Sequence, residues 1–362
     1  MKIKELYAVI LAGGVGERFW PLSRQNAPKQ FLTVFTGEPL LLTTVNRLNG
    51  LIPDDRILII TNQAQIKKTA TLFKGRKKIR IWGEPVGKNT APAIAAAAAL
   101  IEKESPHGVM AILSADHIIH PISLFQKTLS FAAEIATKEN ALVCLGVTPQ
   151  YPHTGLGYIE LGEKLTVSGK LSAARIRCFI EKPPLSKAIK FTKSGHHLWN
   201  CGIFIWQVST LLKALSVHMP TLYRQLSGLR KSRTPQTQER HWKSFFFQAE
   251  KESIDYGVLE KADNIAAVKT SIHWNDVGSW NAYKTLFKND LNGNLFKGQC
   301  VDISSRNTTV LSDKGIIATF GLSDLFIIKH QDNVLVIPSE KVPDLKALIT
   351  AIRKSPFQDA LQ

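Results

Sequence analysis

The sequence predicts a doubly wound α/β domain followed by a small β unit. Three observations carry this: unbroken apolar runs, helix-period segments between them, and a change of texture after Asn292. The runs fall at 6–11, 56–61, 109–113 and 141–145. Strands without polar alternation are buried on both faces, which is the habit of parallel sheets covered by helices. Between them, Pro39 suits a first helical turn, and Leu41, Leu42, Val45 and Leu48 share one face. Residues 91–103 form an alanine-rich helix with Pro92 near its start. Pro121 opens another, with Phe125, Leu129 and Ala132 on one side. That β-α-β-α-β order reads as a Rossmann-like, doubly wound sheet. The middle mixes strands at 175–180 and 202–206 with helices at 210–219 and 238–247, so the sheet is expected to be mixed. After Asn292, short strands crowd together at 300–303, 309–311, 316–320, 325–328 and 334–337, and a helix over 342–354 closes the chain. Two domains are expected, 1–292 and 293–362.

Bulk properties narrow the function. The chain has 362 residues, 44% hydrophobic and 21% charged, enough for a large core. No apolar run approaches the roughly 20 residues that span a bilayer. The first residues show no leader pattern. A cytoplasmic location without membrane association is therefore expected. The net charge of +17 favours anionic partners. The basic residues are dispersed, and their densest stretch, 67–80, does not interleave aromatics, so no nucleic-acid partner is expected. Cysteines at 144, 178, 201 and 300 form no Cys-x-x-Cys pair and read as reduced cysteines without zinc or disulfides.

The strongest chemical signal follows the first strand, in Leu11-Ala12-Gly13-Gly14-Val15-Gly16-Glu17-Arg18 and then Pro28-Lys29-Gln30-Phe31. Three glycines in four residues let backbone N–H groups approach phosphate oxygens closely. Arg18 and Lys29 supply cations at separate points along a polyphosphate. Both are expected to act on ligand rather than on the fold. A dinucleotide fingerprint is excluded because Phe19 stands where its third glycine belongs. A Walker A loop is excluded because Gly83 and Gly87 are separated by only three residues and Lys88 is followed by Asn89.

Two acidic segments come next. Asp116 follows the apolar run at 109–113, and Asp276 sits in Trp274-Asn275-Asp276-Val277-Gly278. Either alone reads equally as a cap or turn residue. With the glycine loop, the pair suits a magnesium ion whose shell is completed by water and phosphate oxygens. Glu84-Pro85 and Asn89-Thr90 precede the alanine-rich helix and offer acceptors for a guanine edge. Glu181-Lys182 offers a carboxylate for sugar hydroxyls beside an ammonium for phosphate, and Asn200 lies in Trp199-Asn200-Cys201-Gly202 before another strand. Each of these also reads as a capped turn.

Taken together, and with 154–160 and Ser253-Ile254-Asp255-Tyr256, these segments resemble the sugar-1-phosphate nucleotidyltransferases from residue 8 to about 280. Trp20-Pro21-Leu22-Ser23 and Pro28-Lys29-Gln30-Phe31 resemble the mannose-1-phosphate guanylyltransferase branch, in its short single-activity form. The resemblance implies GMP transfer from GTP to mannose 1-phosphate, the alternatives being the same chemistry on another base or sugar, or an inactive nucleotide-sugar-binding regulatory paralogue. It implies a C-terminal partial β-helix, often used in subunit contact, and hence a homodimer. It places phosphate binding on Gly13, Gly14, Arg18 and Lys29, with Leu11, Ala12 and Gly16 in the same loop. Magnesium binding falls on Asp116 and Asp276, and the guanine loop around Glu84, Pro85, Asn89 and Thr90. Sugar contacts fall on Gly157, Glu181 and Asn200, with Lys182 near the sugar phosphate. Arg18, Lys29, Asp116 and Asp276 would carry catalysis. Leu156, Glu17 and Cys201 depart from residues common in the family, at positions that neighbour ligand contacts.

Overall fold

The computed structural model describes residues 5–362, which form two compact units. The first runs through Gly13 and then takes in Val45–Ala115 and Ile119–Trp274. The second gathers Gly14–Thr44, Asp116–Ile118 and Asn275–Gln362.

Fifteen strands occur among the described residues. They are β1 (Leu6–Ala12), β2 (Ile57–Asn62), β3 (Arg80–Glu84), β4 (Val109–Ser114), β5 (Ile118–His120), β6 (Leu142–Val147), β7 (Tyr158–Ser168) and β8 (Leu171–Ile180). There follow β9 (His197–Gln207), β10 (Ile265–Lys269), β11 (His273–Asn275), β12 (Leu295–Ile303), β13 (Thr309–Phe320), β14 (Leu325–His330) and β15 (Asn333–Pro338). The first unit is built on a nine-stranded sheet in the order β3-β2-β1-β4-β9-β6-β10-β8-β7. Strands β1 to β4 run parallel, whereas β9 is antiparallel to both β4 and β6. The order reverses between β1 and β4, and ligands of such sheets bind beyond the strand ends at that reversal. Gly13 and Ala115 lie there, and the Ala115 N–H donates to the Leu11 carbonyl at 3.0 Å.

The alanine-rich helix Thr90–Glu102 is buried from Ala91 to Ile101. A helix apolar on every side belongs inside a core. Its small side chains sit in one cluster with Tyr7 and Val9 of the sheet and with Leu211, Leu215, Trp242 and Phe245 of later helices. Cys144 and Cys201 are buried. No helix among the described residues is long and apolar enough to cross a membrane.

Strands β3 and β7 carry weak sequence signals. Strand β3 is five residues with an arginine, a glycine and a glutamate; β7 is largely half-exposed and breaks register with β8 three times.

In the second unit, β12, β13 and β14 are parallel neighbours joined by only a few residues. Leu295 pairs with Thr309 and Ile303 with Phe320, so the chain returns from Ile303 to the start of the next strand through residues 304–308. Nine extended residues cover about 30 Å, farther than that link can retrace. The strands therefore bend, β12 at Gly298 (φ +102°), where the register shifts against β13, whose paired residues jump from Leu311 to Ile316. Arg306 and Ser323 bridge the two return links in parallel. The result is a short β-helical coil, and the two strands anticipated at 309–311 and 316–320 are the two legs of one bent strand. Strand β15 closes it antiparallel. The helix anticipated from Val342 is a 3-10 segment, Ser339–Asp344, before the α-helix Leu345–Arg353, because Pro343 withholds a backbone donor.

Candidate active site

The second unit holds the loop 14–44 and both acidic segments. Gly16 is left-handed (φ +74°), and a Cβ there would collide with Cβ of Lys29. The Lys29 N–H donates to the Val15 carbonyl at 3.1 Å, so the glycine turn lies flat on the lysine segment. Gly14 has open space where a Cβ would stand. Arg18 is exposed. Lys29 is only 4% exposed; its Nζ donates to Asp116 Oδ2 at 2.8 Å and to the Asp276 carbonyl at 2.8 Å. One lysine thus gathers the glycine loop through its backbone N–H and, through its ammonium, two carboxylate-bearing segments 160 positions apart in sequence. The expectation that Lys29 serves ligand alone needs correction, because an ammonium this buried with these partners also holds the fold.

The Asp276 turn is strained. Val277 has φ +45°, a conformation that a β-branched residue rarely adopts. It persists because Val277 is fully buried among Phe19, Trp20, Trp280 and Tyr283. Asn275 Oδ1 accepts from the Val277 N–H at 2.7 Å and Asp276 Oδ1 from the Gly278 N–H at 3.2 Å. Strain of roughly 1–3 kcal/mol at one residue is stored where geometry is over-determined, commonly at functional sites. Glu17 turns to Arg353, with Oε1 accepting from Nη2 at 2.7 Å.

The first unit holds two further clusters. Glu84 ends β3, is 9% exposed, and burial raises its carboxyl to about 7. A Cβ on Gly13 would lie 3.1 Å from Glu84 Oε2, so the bare glycine backbone leaves that carboxyl its place. Asn89 caps the alanine-rich helix, its Oδ1 accepting from the Thr90 N–H at 2.9 Å. Pro85 is half-buried in the same loop.

The second cluster joins β9 to the ends of β7 and β8. The Asn200 N–H donates to the Gly157 carbonyl at 2.8 Å, and a Cβ on Gly157 would sit 2.5 Å from Glu181 Oε2. Glu181 Oε1 accepts from Lys182 Nζ at 2.5 Å. Burial lowers the Lys182 pKa, but the hydrogen bond and charge of Glu181 more than offset it, so the net shift is upward. Cys201 follows, buried. Asp255 faces this cluster: its Oδ1 accepts from Asn200 Nδ2 at 3.3 Å. Burial, and then the charge of Glu181, push the Asp255 carboxyl up to about 7. Lone acids in short turns carry little sequence signal, so the sequence alone assigns Asp255 no role.

Residues 7–293 match the nucleotidyl transferase family, and residues 298–351 match the MannoseP isomerase/GMP-like beta-helix domain. A mannose-1-phosphate guanylyltransferase of Escherichia coli is 34% identical over 349 residues, covering 95% of this chain and 75% of the relative. The chain belongs to the mannose-1-phosphate guanylyltransferase family. A Salmonella montevideo member is also 34% identical, over 351 residues covering 95% of this chain and 73% of its own. The crystal structure of a Thermus thermophilus protein, described as a mannose-1-phosphate geranyltransferase, superposes with TM-score 0.85 at 32% identity, covering 98% of this chain and 100% of that one. The chain is thus a nucleotidyltransferase of this family, with Gly14, Gly16, Lys29, Asp116 and Asp276 in one unit and Gly13 and the Glu84 and Asn200 clusters in the other.

Proposed function

We propose that this chain transfers GMP from GTP to mannose 1-phosphate, giving GDP-mannose and pyrophosphate. The observation that carries this reading is Lys29, buried and held between Asp116 Oδ2 and the Asp276 carbonyl. In the proposed step a phosphate oxygen of mannose 1-phosphate attacks the α-phosphorus of GTP. The new P–O bond forms as the bond to the β-phosphate oxygen breaks, and pyrophosphate leaves with that electron pair. No proton need move and no protein nucleophile takes part, so the protein acts by positioning and neutralising polyanions. Backbone N–H groups of the loop from Leu11 and Ala12 through Gly13, Gly14 and Gly16 bind phosphate, with Arg18 and Lys29 as cations. Glu84, Pro85, Asn89 and Thr90 meet guanine. Gly157, Glu181 and Asn200 take the mannose hydroxyls, and Lys182 its phosphate.

Asp116 and Asp276 would hold a magnesium ion. Both offer hard oxygen donors, and the Lys29 ammonium beside them marks a spot that attracts positive charge. Among the described residues no cluster of three or more His, Cys, Asp or Glu side chains stands ready for a metal, so phosphate and water oxygens would complete the shell. When bound, the ion would supply charge neutralisation at the α-phosphate.

An exposed apolar face of the coil supports a homodimer. Val301, Ile303, Ile316 and Phe320 are 58–74% exposed, and Ile303 pairs directly with Phe320, so they share one apolar face. A homodimer through this face is proposed; sedimentation should give twice the chain mass, and Phe320→Glu a monomer. The cytoplasm is the proposed location, because phosphorylated substrates do not cross bilayers unaided. Pyrophosphate release across four triphosphates and several sugar 1-phosphates tests the activity. GTP with mannose 1-phosphate should be fastest; a preference for UTP or dTTP with glucose 1-phosphate overturns the reading.

A further inference from the structure

The segment after the last helix of the first unit's core carries contacts that the reaction outlined above does not use. Asp255 begins a π-helical turn, Asp255–Leu259, in which the Glu260 N–H donates to the Asp255 carbonyl at 2.9 Å. Such turns are rare and frequent at functional sites. This one grips Asn200 and Glu181 of the Asn200 cluster. At its start, Asp255 Oδ1 takes Asn200 Nδ2 at 3.3 Å; just past its end, Glu260 Oε1 takes the Glu181 N–H at 3.1 Å. The residues before the turn grip the Glu84 loop. The Glu252 N–H donates to the Lys88 carbonyl at 3.2 Å, the Ala91 N–H to the Glu252 carbonyl at 3.1 Å, and the Ile254 N–H to Thr90 Oγ1 at 2.9 Å. Residues 252–260 therefore bracket the proposed base loop and the proposed sugar cluster together.

The effect on Asn200 is specific. Its Oδ1 already accepts from the Gly202 N–H at 3.0 Å. With Nδ2 on Asp255, both ends of the amide are assigned, and the amide cannot flip. One N–H of the NH2 group is left to donate to a ligand, in one direction only. A hydroxyl that meets that N–H is bound, and the epimer that turns the hydroxyl away leaves it unpaired. Sites built to hydrogen-bond one hydroxyl discriminate strongly for this reason.

We propose that Asp255 is a positioning residue that fixes the Asn200 amide and thereby sets which sugar epimer the enzyme accepts. This rests on the proposed function of the Asn200 cluster. Asp255 does not touch the reacting atoms; it acts through Asn200. The carboxyl, raised toward neutrality by burial and by Glu181, adds a titration signature, with Lys182 and Glu260 the other charged groups facing this corner.

The test uses the full chain. In Asp255→Ala the KM for mannose 1-phosphate should rise about tenfold or more, the KM for GTP should stay within about twofold, and preference for mannose over glucose 1-phosphate should fall by about tenfold. Asp255→Asn, which keeps an acceptor oxygen and the side-chain shape, should recover most of the mannose 1-phosphate KM. The wild-type profile of that KM against pH should show a step near 7 that Asp255→Asn lacks, both measured on the same substrate so that its own titration cancels. Should the alanine variant fail to fold, the asparagine profile decides alone. A step that persists in Asp255→Asn, or equal loss for both substrates, overturns the proposal and leaves the activity standing. Absence of turnover by the wild-type chain with GTP and mannose 1-phosphate would instead sink the functional reading beneath it.

Discussion

The two acidic corners of the molecule solve opposite electrostatic problems. At the Asp116–Asp276 corner an ammonium is built in: Lys29, 4% exposed, hydrogen-bonds one carboxylate and the other residue's carbonyl. At the Asn200 corner three carboxyls, Glu181, Asp255 and Glu260, gather with a single lysine whose side chain is 55% exposed. The first corner sets one ammonium beside two carboxylates, which leaves negative charge for a cation that phosphate oxygens could share. The second leaves a carboxyl near neutrality and suits an uncharged polyol, whose hydroxyls can both donate and accept. The difference lies in what surrounds the acids rather than in the acids themselves.

The comparison breaks most readily at Lys29. Lys29→Ala should lower turnover by about two to three orders of magnitude, the typical cost of one electrostatic contact to the transferring group. It should also lower the thermal midpoint, since Asp116 and the Asp276 carbonyl lose their donor, at a cost of roughly 2 kcal/mol. Turnover per folded molecule that stays normal would reduce the lysine to a structural strut. Asp116→Asn and Asp276→Asn should each cost about a hundredfold in rate with a native circular dichroism spectrum, and each should raise the magnesium concentration for half-maximal rate. Asp276→Asn is the sharper of the two, because asparagine can still accept from the Gly278 N–H. Near-normal rate in that variant would show that the carboxylate only shapes the turn.

The buried carboxyls predict how stability varies with pH. Glu84 and Asp255 are both raised to about 7 from ordinary values of 4.5 and 3.8. Between those values and 7 the folded state binds more protons than the unfolded, so unfolding free energy falls as pH rises and levels off above about 7. The Glu84 contribution alone amounts to roughly 3 kcal/mol. Urea midpoints should be higher at pH 5 than at pH 8 by more in the wild type than in Glu84→Gln; an equal difference in both would remove Glu84 as the cause. The smallest effect is expected at Lys182, whose half-exposed head group is screened by solvent. Lys182→Ala should raise the KM for mannose 1-phosphate only severalfold, and a loss as large as that of Lys29→Ala would erase the contrast between the corners.

How far the sequence foretold this depends on the kind of signal. Strands β1, β2, β4 and β6 were legible because burial on both faces leaves no polar residue to break the run. Strand β7 was not, since much of it faces solvent and its register slips. The glycine loop was legible because close backbone approach requires glycine. The burial of Lys29 was not, because it depends on segments far apart in the chain meeting around one side chain. Val277 carried no warning at all: a valine in the left-handed region is selected by its packing, and no local pattern announces it. Asp255 was hidden for a related reason. Its significance lies in a hydrogen bond to a residue 55 positions away.

The glycine loop also has a place in time. Phe19 and Trp20 pack with Val277, Trp280 and Tyr283, the Trp20 indole N–H donates to the Ala360 carbonyl at 3.0 Å, and the Gln25 N–H to the Leu361 carbonyl at 3.1 Å. A ribosome adding about 5–20 residues per second needs on the order of ten seconds or more to go from the end of that loop to residue 275. Through that interval the nascent chain carries Arg18 and Lys29 on a segment whose later packing partners, Val277, Trp280 and Tyr283, do not yet exist. The glycine loop is made well before Val277, Trp280 and Tyr283, which pack on it, so it can become ordered only after those residues have emerged.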